Sequence, residues 1–147
     1  MRARTGAFLL SAVLLIACDL KDLPQADQGS GVSDTRLPDF DWTGTVRHVV
    51  DGDSLYIKGV EPQIRLWGVD APERDERGYQ TAKDKLIDLA KGERIGCETK
   101  DIDKYDRIVG RCFVVLKNLE INKELIESGV SQEYCRFTKN YYRTCDF

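Results

Sequence analysis

Residues 49–73 constrain the possible folds of this chain more than any other stretch. They contain two short runs rich in Val, Ile, Leu and Tyr, and the pair Asp51-Gly52 interrupts the first run. Apolar runs of this length around an Asp-Gly pair are typical of strands joined by tight turns. If the two strands are neighbours, Asp53 and Asp70 lie side by side at strand ends.

The same stretch groups the kinds of side chain that phosphate chemistry needs. Clustered carboxylates repel one another unless a proton or a cation lies among them, and Ca²⁺ is a hard cation that prefers such oxygen ligands. Glu73 follows Asp70 after a rigid Ala-Pro step, and Arg65 precedes both in the strand. We therefore expect an acid, a base and a cation site to meet here.

Three blocks of the sequence resemble the signature blocks of the staphylococcal nuclease (thermonuclease) family. They are Asp51-Gly52-Asp53-Ser54, Arg65-Leu66-Trp67-Gly68-Val69-Asp70-Ala71-Pro72-Glu73 and Asp103-Lys104-Tyr105-Asp106-Arg107, in the order of the family. The resemblance covers about residues 43–137. A lone Asp-Gly-Asp would be weak, because Asp-Gly is common in hairpin turns. The long middle block makes the match specific.

The resemblance implies a five-stranded OB-type β-barrel with two or three α-helices, an α+β arrangement whose face is used for nucleic acids. A chain of 147 residues, 41% of them hydrophobic, has room for one such domain, which we place at residues 41–147. Apolar periodicity predicts strands at residues 42–50, 53–58, 63–69, 94–99 and 108–116. It predicts helices at residues 79–91, ended by Gly92, and from an Asn122 N-cap to Ser128, ended by Gly129.

The family's metal ligands match acidic positions of this chain. The resemblance implies that Asp53 and Asp70 are the two carboxylate ligands of Ca²⁺ and that the backbone carbonyl of Ala71 is a third ligand. Asp51 matches an acid close to the ion, and Ser54 completes the same block. Each residue also has a plainer interpretation, because Asp-Gly pairs and strand-ending acids are frequent in turns.

The same resemblance assigns the reaction to three charged residues. Glu73 matches the carboxylate usually assigned as general base for the attacking water, and Arg65 and Arg107 match the pair that grips the scissile phosphate. Planar guanidinium groups suit that task, although a single exposed arginine is more often a solvated surface charge. Tyr105 is expected to lie near the site. Asp106 departs from the family, which has Gly there, and so restricts the backbone beside Arg107.

The end of the chain also departs from the family, because it lacks the long charged terminal helix of many relatives. It carries aromatic residues instead: Tyr134, Phe137, Tyr141 and Tyr142. These side chains could stack on bases, or they could pack on the core or on a disulfide loop. We expect Trp67 in the core. His48 lies outside the three signature blocks, and we expect it at the surface.

The N-terminus predicts export and membrane attachment. Arg2 and Arg4 precede an apolar run that is too short for a comfortable membrane span and matches a signal peptide, residues 1–17. The four residues ending at Cys18 resemble a bacterial lipobox, so Cys18 is expected to carry lipid, followed by a flexible tether at 18–40. This places the protein on the periplasmic side of a bacterial membrane. An ordinary signal peptide, with Cys18 a spectator, would make it a secreted protein.

The four remaining cysteines predict two disulfides, as an even number in an exported domain implies. Cys97 and Cys112 fall on strands that flank one turn, so we expect them to pair. Cys135 and Cys145 bracket a short loop near the end of the chain and form the second predicted pair. The alternative is a structural zinc site, but no C-x-x-C pair exists.

The charge balance argues against tight binding of nucleic acid through many phosphates. The formal net charge is −3, and it becomes −5 without residues 1–17, which hold two arginines and no acid. Tight binders normally carry a basic face, whereas a weakly binding nuclease stays compatible if a cation offsets the carboxylates. We expect a monomeric, Ca²⁺-dependent endonuclease that acts on DNA, with RNA as an open further substrate. The alternatives are a non-catalytic OB-type binding module and an envelope adaptor lipoprotein.

Overall fold

A computed structural model describes residues 36–146, which form a closed five-stranded mixed β-barrel with three α-helices. This confirms the predicted OB-type barrel. The strands are β1 (Trp42–Val49), β2 (Ser54–Ile57), β3 (Ile64–Leu66), β4 (Val69–Asp70), β5 (Arg94–Ile102), β6 (Ile108–Val114), β7 (Leu119–Glu120) and β8 (Gln132–Glu133). The helices are α1 (Tyr79–Ala90), α2 (Ile121–Glu127) and α3 (Cys135–Thr138), with a 3₁₀ turn at Val115–Lys117.

The barrel closes through one parallel pairing. Antiparallel ladders join β3 to β2, β2 to β1, β1 to β5 and β5 to β6. Strand β3 then pairs in parallel with β6, so that Arg65 lies opposite Val109. On its other side Arg65 lies opposite Ser54 of β2. The closure therefore places β3, which carries Arg65, between β2 and β6, the strands that follow Asp53 and Arg107.

The core fills the inside of the barrel and the space under two helices. Strands β1 and β3 alternate buried and less buried residues, as expected for strands with one face inward. Helix α1 buries Ala82, Leu86 and Ala90 along one side, and α2 buries Ile121 and Leu125 among others. Burial of these apolar side chains stabilises the helices, because helices this short are marginal alone.

Two elements differ from the sequence prediction. The predicted strand at 63–69 is split, because Gly68 has a φ of +73° and turns the chain between β3 and β4. The predicted N-cap at Asn122 is wrong, since α2 begins at Ile121 and the Asn122 side chain is fully buried. Its Oδ1 accepts from the N–H of Cys112, and its Nδ2 donates to the carbonyls of Trp67 and Gly110. Asn122 therefore ties α2 to the barrel instead of capping the helix.

Both predicted disulfides are present. The Cys97–Cys112 bond joins directly opposed residues of β5 and β6 in the buried core. The Cys135–Cys145 bond closes a loop from the start of α3 to the last described residues. The pairing deduced from strand neighbours and loop length is thus the one in the structure.

The predicted signal peptide, Cys18 and the tether up to residue 35 lie outside the described residues. Within 36–146, no helix is long and apolar enough to cross a membrane. Phe40, at the end of the predicted tether, packs against Phe113 with ring centroids 5.8 Å apart. The barrel's contacts therefore extend to this residue.

Candidate active site

Four segments that are distant in sequence converge on one small pocket of about 220 Å³. The β1–β2 connection, strand β3, the segment after β4 and the end of the β5–β6 connection each contribute. The pocket is lined by Asp51, Gly52, Asp53, Arg65, Ala71, Pro72, Glu73 and Arg107. The structure therefore brings all three predicted catalytic residues together with two of the predicted acids.

The β1–β2 connection reaches the pocket because Gly52 has no side chain. A Cβ at this position would lie 2.7 Å from the Cβ of Ala71 and 2.8 Å from the Cβ of Ala82, closer than real Cβ contacts come. The connection therefore packs directly on the start of the β4–α1 segment and on helix α1. This close approach holds the carboxylates on either side of Gly52 against the segment that carries Ala71.

The Asp53 carboxylate is the most enclosed charged group in the pocket, at 8% exposure. It forms an ion pair with Arg65 and accepts hydrogen bonds from Ser54 Oγ at 2.9 Å and from the N–H of Ala71 at 3.4 Å. Burial raises the pKa of Asp53 to about 6, against the opposing effect of Arg65, and the neighbouring Asp51 carboxylate adds to the rise. The Arg65 ion pair therefore does not fully offset the burial of Asp53, and a further cation would stabilise its ionised form.

Arg107 is held at the pocket by Asp103, the first residue of the β5–β6 turn. Asp103 Oδ2 accepts from Arg107 Nε at 2.7 Å, while Oδ1 accepts from the N–H groups of Tyr105 and Arg107 at 2.9 and 3.0 Å. Burial alone would raise the pKa of Asp103, but these hydrogen bonds outweigh it and lower that pKa. Since Asp103 engages only Nε of the guanidinium, the two Nη groups remain available to an anion.

Asp106 takes the backbone conformation that its glycine counterpart would favour. Its φ is +58°, in the left-handed region, and its N–H donates to the carbonyl of Asp103 at 3.0 Å. Aspartate tolerates this region better than most residues. The departure from the family pattern is therefore accommodated in the turn, and Arg107 still reaches the pocket.

Asp70 is the predicted site residue that the structure places apart. It is exposed at the end of β4 and lines a neighbouring cavity of about 800 Å³, which shares Ala71, Pro72 and Glu73 with the pocket. We expected Asp70 to be the acidic neighbour of Asp53. In the structure that neighbour is Asp51. Glu73 is exposed where the two cavities meet, so it is open to water and substrate.

The pocket fits a hard divalent cation by its donor chemistry. Asp51 and Asp53 offer carboxylate oxygens at one place, and oxygen ligands of this kind suit Ca²⁺. In the part of the chain that the structure describes, no three His, Cys, Asp or Glu side chains surround a single metal position. Protein carboxylates alone would thus leave part of the coordination shell to water, backbone carbonyls or a phosphate oxygen.

A groove of about 670 Å³ adjoins the pocket and shares Arg65 and Arg107 with it. Its walls combine aromatic and cationic side chains: Trp67, Tyr105, Tyr134 and Phe137 with Lys100 and Lys104. Tyr105 and Phe137 are 66% and 59% exposed, which is unusual for large apolar rings. Aromatic faces beside phosphate-binding cations are the surface that single-stranded nucleic acid requires.

Trp67 and the C-terminal aromatic residues build one side of this groove. The predicted core position of Trp67 is wrong, because the residue follows β3 and is only half-buried. Its ring meets Tyr141 at 5.3 Å and Tyr142 at 6.0 Å between centroids. The C-terminal aromatics thus divide between the two predicted roles: Tyr141 and Tyr142 pack, whereas Tyr134 and Phe137 face the groove. His48 is exposed, as predicted.

Two residues with no predicted role emerge as supports of the site. Asp103 positions Arg107, and its signal in the sequence is an acid that opens a turn four residues before an arginine. Glu133, at the end of β8, is buried at 7% exposure beneath the C-terminal segment. No sequence signal identifies Glu133, because its hydrogen-bond partners follow it in an irregular loop.

Comparison with known proteins finds similarity to a nuclease family and to proteins named as nucleases. A model of the family described as Staphylococcal nuclease homologue matches residues 63–145, more than half of the chain. The chain is 33% identical over 99 residues to the probable endonuclease LCL3 of Phaeosphaeria nodorum, which covers 62% of this chain and 33% of that protein. It is 25% identical over 108 residues to the micrococcal nuclease of Shigella flexneri, covering 67% and 62% respectively.

A third relative is an uncharacterized endonuclease of Haemophilus influenzae. It is 29% identical over 99 residues, which cover 65% of this chain and 54% of that protein. The chain thus spans from 33% to 62% of the length of these curated relatives. The matched residues contain Arg65, Glu73 and Arg107, whereas the family match begins after Asp51 and Asp53.

Proposed function

The chain belongs to the staphylococcal nuclease homologue family, and on that premise we propose that it is an endonuclease that hydrolyses phosphodiester bonds in DNA. One observation carries the proposal: two arginines, two carboxylates and an exposed glutamate from four segments line one pocket. Phosphoryl transfer depends mainly on positioning and on stabilising charge, which such a set supplies. RNA carries the same phosphodiester group and is the second candidate substrate.

The two arginines would bind the scissile phosphate. Arg107, held through Nε by Asp103, offers its Nη groups to the phosphate oxygens. Arg65 pairs with Asp53 in the absence of substrate, and it lines both the pocket and the groove. As negative charge grows on the phosphate oxygens in the transition state, both guanidinium groups would stabilise it.

Glu73 would act on the attacking water. The water oxygen forms a bond to phosphorus while the bond from phosphorus to the leaving oxygen breaks, and Glu73 accepts the proton that the water loses. Its exposed position between the two cavities leaves room for that water. The leaving oxygen takes a proton from solvent, so atoms and charge balance.

We propose Ca²⁺ as the cofactor. Asp53 and Asp51 would hold it in the pocket, with the carbonyl of Ala71 as a further ligand that the family resemblance implies. Asp70, which the resemblance also implies, lines the adjoining cavity. When bound, the ion would neutralise phosphate charge and orient the water. The buried Asp53 carboxylate supports this role, because burial raises its pKa and a bound cation would favour its ionised form.

The groove would take the nucleotides beside the scissile bond. Tyr105 and Phe137 are largely exposed rings that offer stacking surface to bases, and Lys100 and Lys104 lie nearby for the backbone. Bases are available for stacking only when they are unpaired, so the preferred substrate would be single-stranded or locally opened DNA. The formal net charge of −3 favours modest affinity for nucleic acid and therefore release of the product.

Export of the protein, with lipid on Cys18 and residues 18–40 as a tether, remains our proposal for its location. The two disulfides of the domain support an oxidising compartment. A Cys18→Ser variant of the full chain should lose metabolic labelling with fatty acid and leave the membrane fraction or keep its signal peptide. Unchanged labelling would favour the plain secreted form.

The test of function is digestion of labelled single-stranded DNA, double-stranded DNA and RNA by the full chain with Ca²⁺ and with chelator. We expect internal cleavage that requires the cation and is fastest on single-stranded DNA. Oligonucleotide binding without any cation-dependent cleavage would instead favour a non-catalytic binding module. Neither binding nor cleavage would favour an adaptor role.

A further inference from the structure

We propose that Glu133 is a positioning residue for the substrate groove: its carboxylate fixes the C-terminal segment, residues 134–144, so that Tyr134 and Phe137 form the groove wall beside Arg65 and Arg107. The inference rests on the proposed function for its substrate. Glu133 lies outside the pocket, and its role would be in substrate affinity and not in the chemical step.

The C-terminal segment has little regular structure of its own. Helix α3 is only four residues long, and Lys139, Asn140 and Arg143 all have positive φ. Yet this segment carries Tyr134 and Phe137, whose rings meet edge to face at 4.7 Å between centroids and line the groove. Side-chain interactions must therefore define its path, and the Cys135–Cys145 disulfide supplies one of them.

Glu133 fixes the path of the segment by accepting hydrogen bonds at both carboxylate oxygens. Oε1 accepts from Thr138 Oγ1 at 2.5 Å and from the N–H of Tyr142 at 3.0 Å. Oε2 accepts from the N–H and Oγ1 of Thr144 at 3.0 and 2.8 Å. Burial by itself would raise the pKa of Glu133, but these hydrogen bonds outweigh it and lower that pKa. Within residues 36–146, no ion pair with Lys or Arg accompanies them, so the segment's own uncharged donors stabilise the carboxylate.

The segment that Glu133 holds lies directly on the strands of the site. A Cβ on Gly68, between β3 and β4, would clash with Thr138 Cγ2. The N–H of Tyr134 donates to the Gly68 carbonyl at 2.8 Å. Gly68 lies between Arg65 and Asp70, so the position of the segment is set relative to the residues that would meet the phosphate.

Glu133→Gln is the direct test. The amide keeps the size of the side chain but replaces one acceptor oxygen with a donor NH₂, which then faces N–H and O–H donors. Thr138→Val is a milder variant, because it keeps the methyl contact with Gly68 and removes one hydroxyl donor. Glu61→Gln, an exposed glutamate in the β2–β3 connection, is the matched control.

The primary measurement is fluorescence anisotropy of a labelled single-stranded DNA decamer with the full chain in chelator. We expect Glu133→Gln to raise Kd about tenfold, near the low end of the cost of losing one stacked aromatic ring. Phe137→Ala should raise it similarly, and the double variant should add little, because both changes remove the same wall. Thr138→Val should give a smaller rise, and Glu61→Gln none.

In the Ca²⁺ assay, Glu133→Gln should raise KM by a similar factor and leave kcat within about twofold. An unchanged Kd in folded Glu133→Gln, or in Thr138→Val if the first variant does not fold, would overturn the proposal. So would a fall in kcat at constant KM, or fully additive effects with Phe137→Ala. Absence of hydrolysis by the parent chain would contradict the nuclease proposal alone, since the binding measurement stands without it.

Discussion

At the scale of single residues, the site contains two charged groups that each depend on a neighbour of opposite charge. Asp53 is balanced by Arg65, and Arg107 is oriented by Asp103. A substrate phosphate and a cation would exchange these internal partners for external ones. The internal pairs therefore stabilise the charged groups that phosphodiester chemistry would use.

Asp103→Asn should lower kcat/KM for DNA by about 10–100-fold, the range seen when a partner that orients a functional group is lost. The amide cannot accept from Arg107 Nε and the two backbone N–H groups at once without turning its NH₂ toward a donor. Steady-state cleavage of single-stranded DNA measures the effect, with Asp88→Asn on the exposed side of α1 as control. Equal kinetics in the two variants would remove Asp103 from the site.

Asp53→Asn should weaken Ca²⁺ binding by about 100-fold or more, since removal of a ligand should exceed the 10–100-fold cost of removing an outer partner. Isothermal calorimetry with the full chain measures it, again with Asp88→Asn alongside. Unchanged affinity in Asp53→Asn would eliminate the proposed cation site.

At the scale of elements, the β5–β6 pair and the C-terminal segment hold the site together. Strands β5 and β6 carry between them the turn that presents Arg107, and a buried disulfide ties the two strands. The segment after β8 depends on Glu133 and on its own disulfide. Each element can therefore be weakened separately.

The double variant Cys97→Ala/Cys112→Ala should lower the free energy of unfolding by about 2–4 kcal/mol. Loss of the cross-link frees the unfolded chain, and loss of sulfur leaves space in the core. Urea denaturation followed by tryptophan fluorescence measures the change. A free energy equal to that of the parent would mean that the bond contributes nothing to the fold.

Acid should weaken the C-terminal segment through Glu133. The carboxylate has a pKa below its ordinary value of 4.5 in the folded chain, so it adds stability above about pH 4.5 that is lost as pH falls through the lower folded pKa. Glu133→Gln lacks this group, and the gap in melting temperature between parent and variant should narrow on acidification from pH 7 to pH 3. A gap that widens on acidification would reverse the assigned sign.

The sequence predicted the antiparallel elements well because they rest on local signals. Asp-Gly turns, apolar alternation and cysteine positions located β1, β2, β5, β6 and both disulfides. The parallel pairing of β3 with β6 depends on residues 44 positions apart, for example Arg65 and Val109, and no local pattern encodes it. Asn122 resembled a helix cap locally, but its buried partners come from other elements.

At the scale of the whole molecule, barrel closure converts sequence blocks into a pocket. Family resemblance named the residues of that pocket, and the structure places Asp51, Asp53, Arg65, Glu73 and Arg107 together. Asp70 lies in the adjoining cavity because the turn at Gly68 starts a separate short strand paired with β8. The sequence left open whether Tyr134 and Phe137 stack on bases or pack on the core, since their placement depends on how an irregular segment folds over that turn.

The central claim, that this pocket performs phosphodiester hydrolysis, is tested most directly by comparing Glu73→Gln with the parent chain in cleavage and in binding. The amide keeps the size of the side chain but cannot accept a proton from water, so kcat on single-stranded DNA with Ca²⁺ should fall by about 10²–10⁴-fold. Binding of the same DNA in chelator should stay within about twofold. A variant that cleaves as fast as the parent, or that loses binding and cleavage in equal measure, would contradict the account.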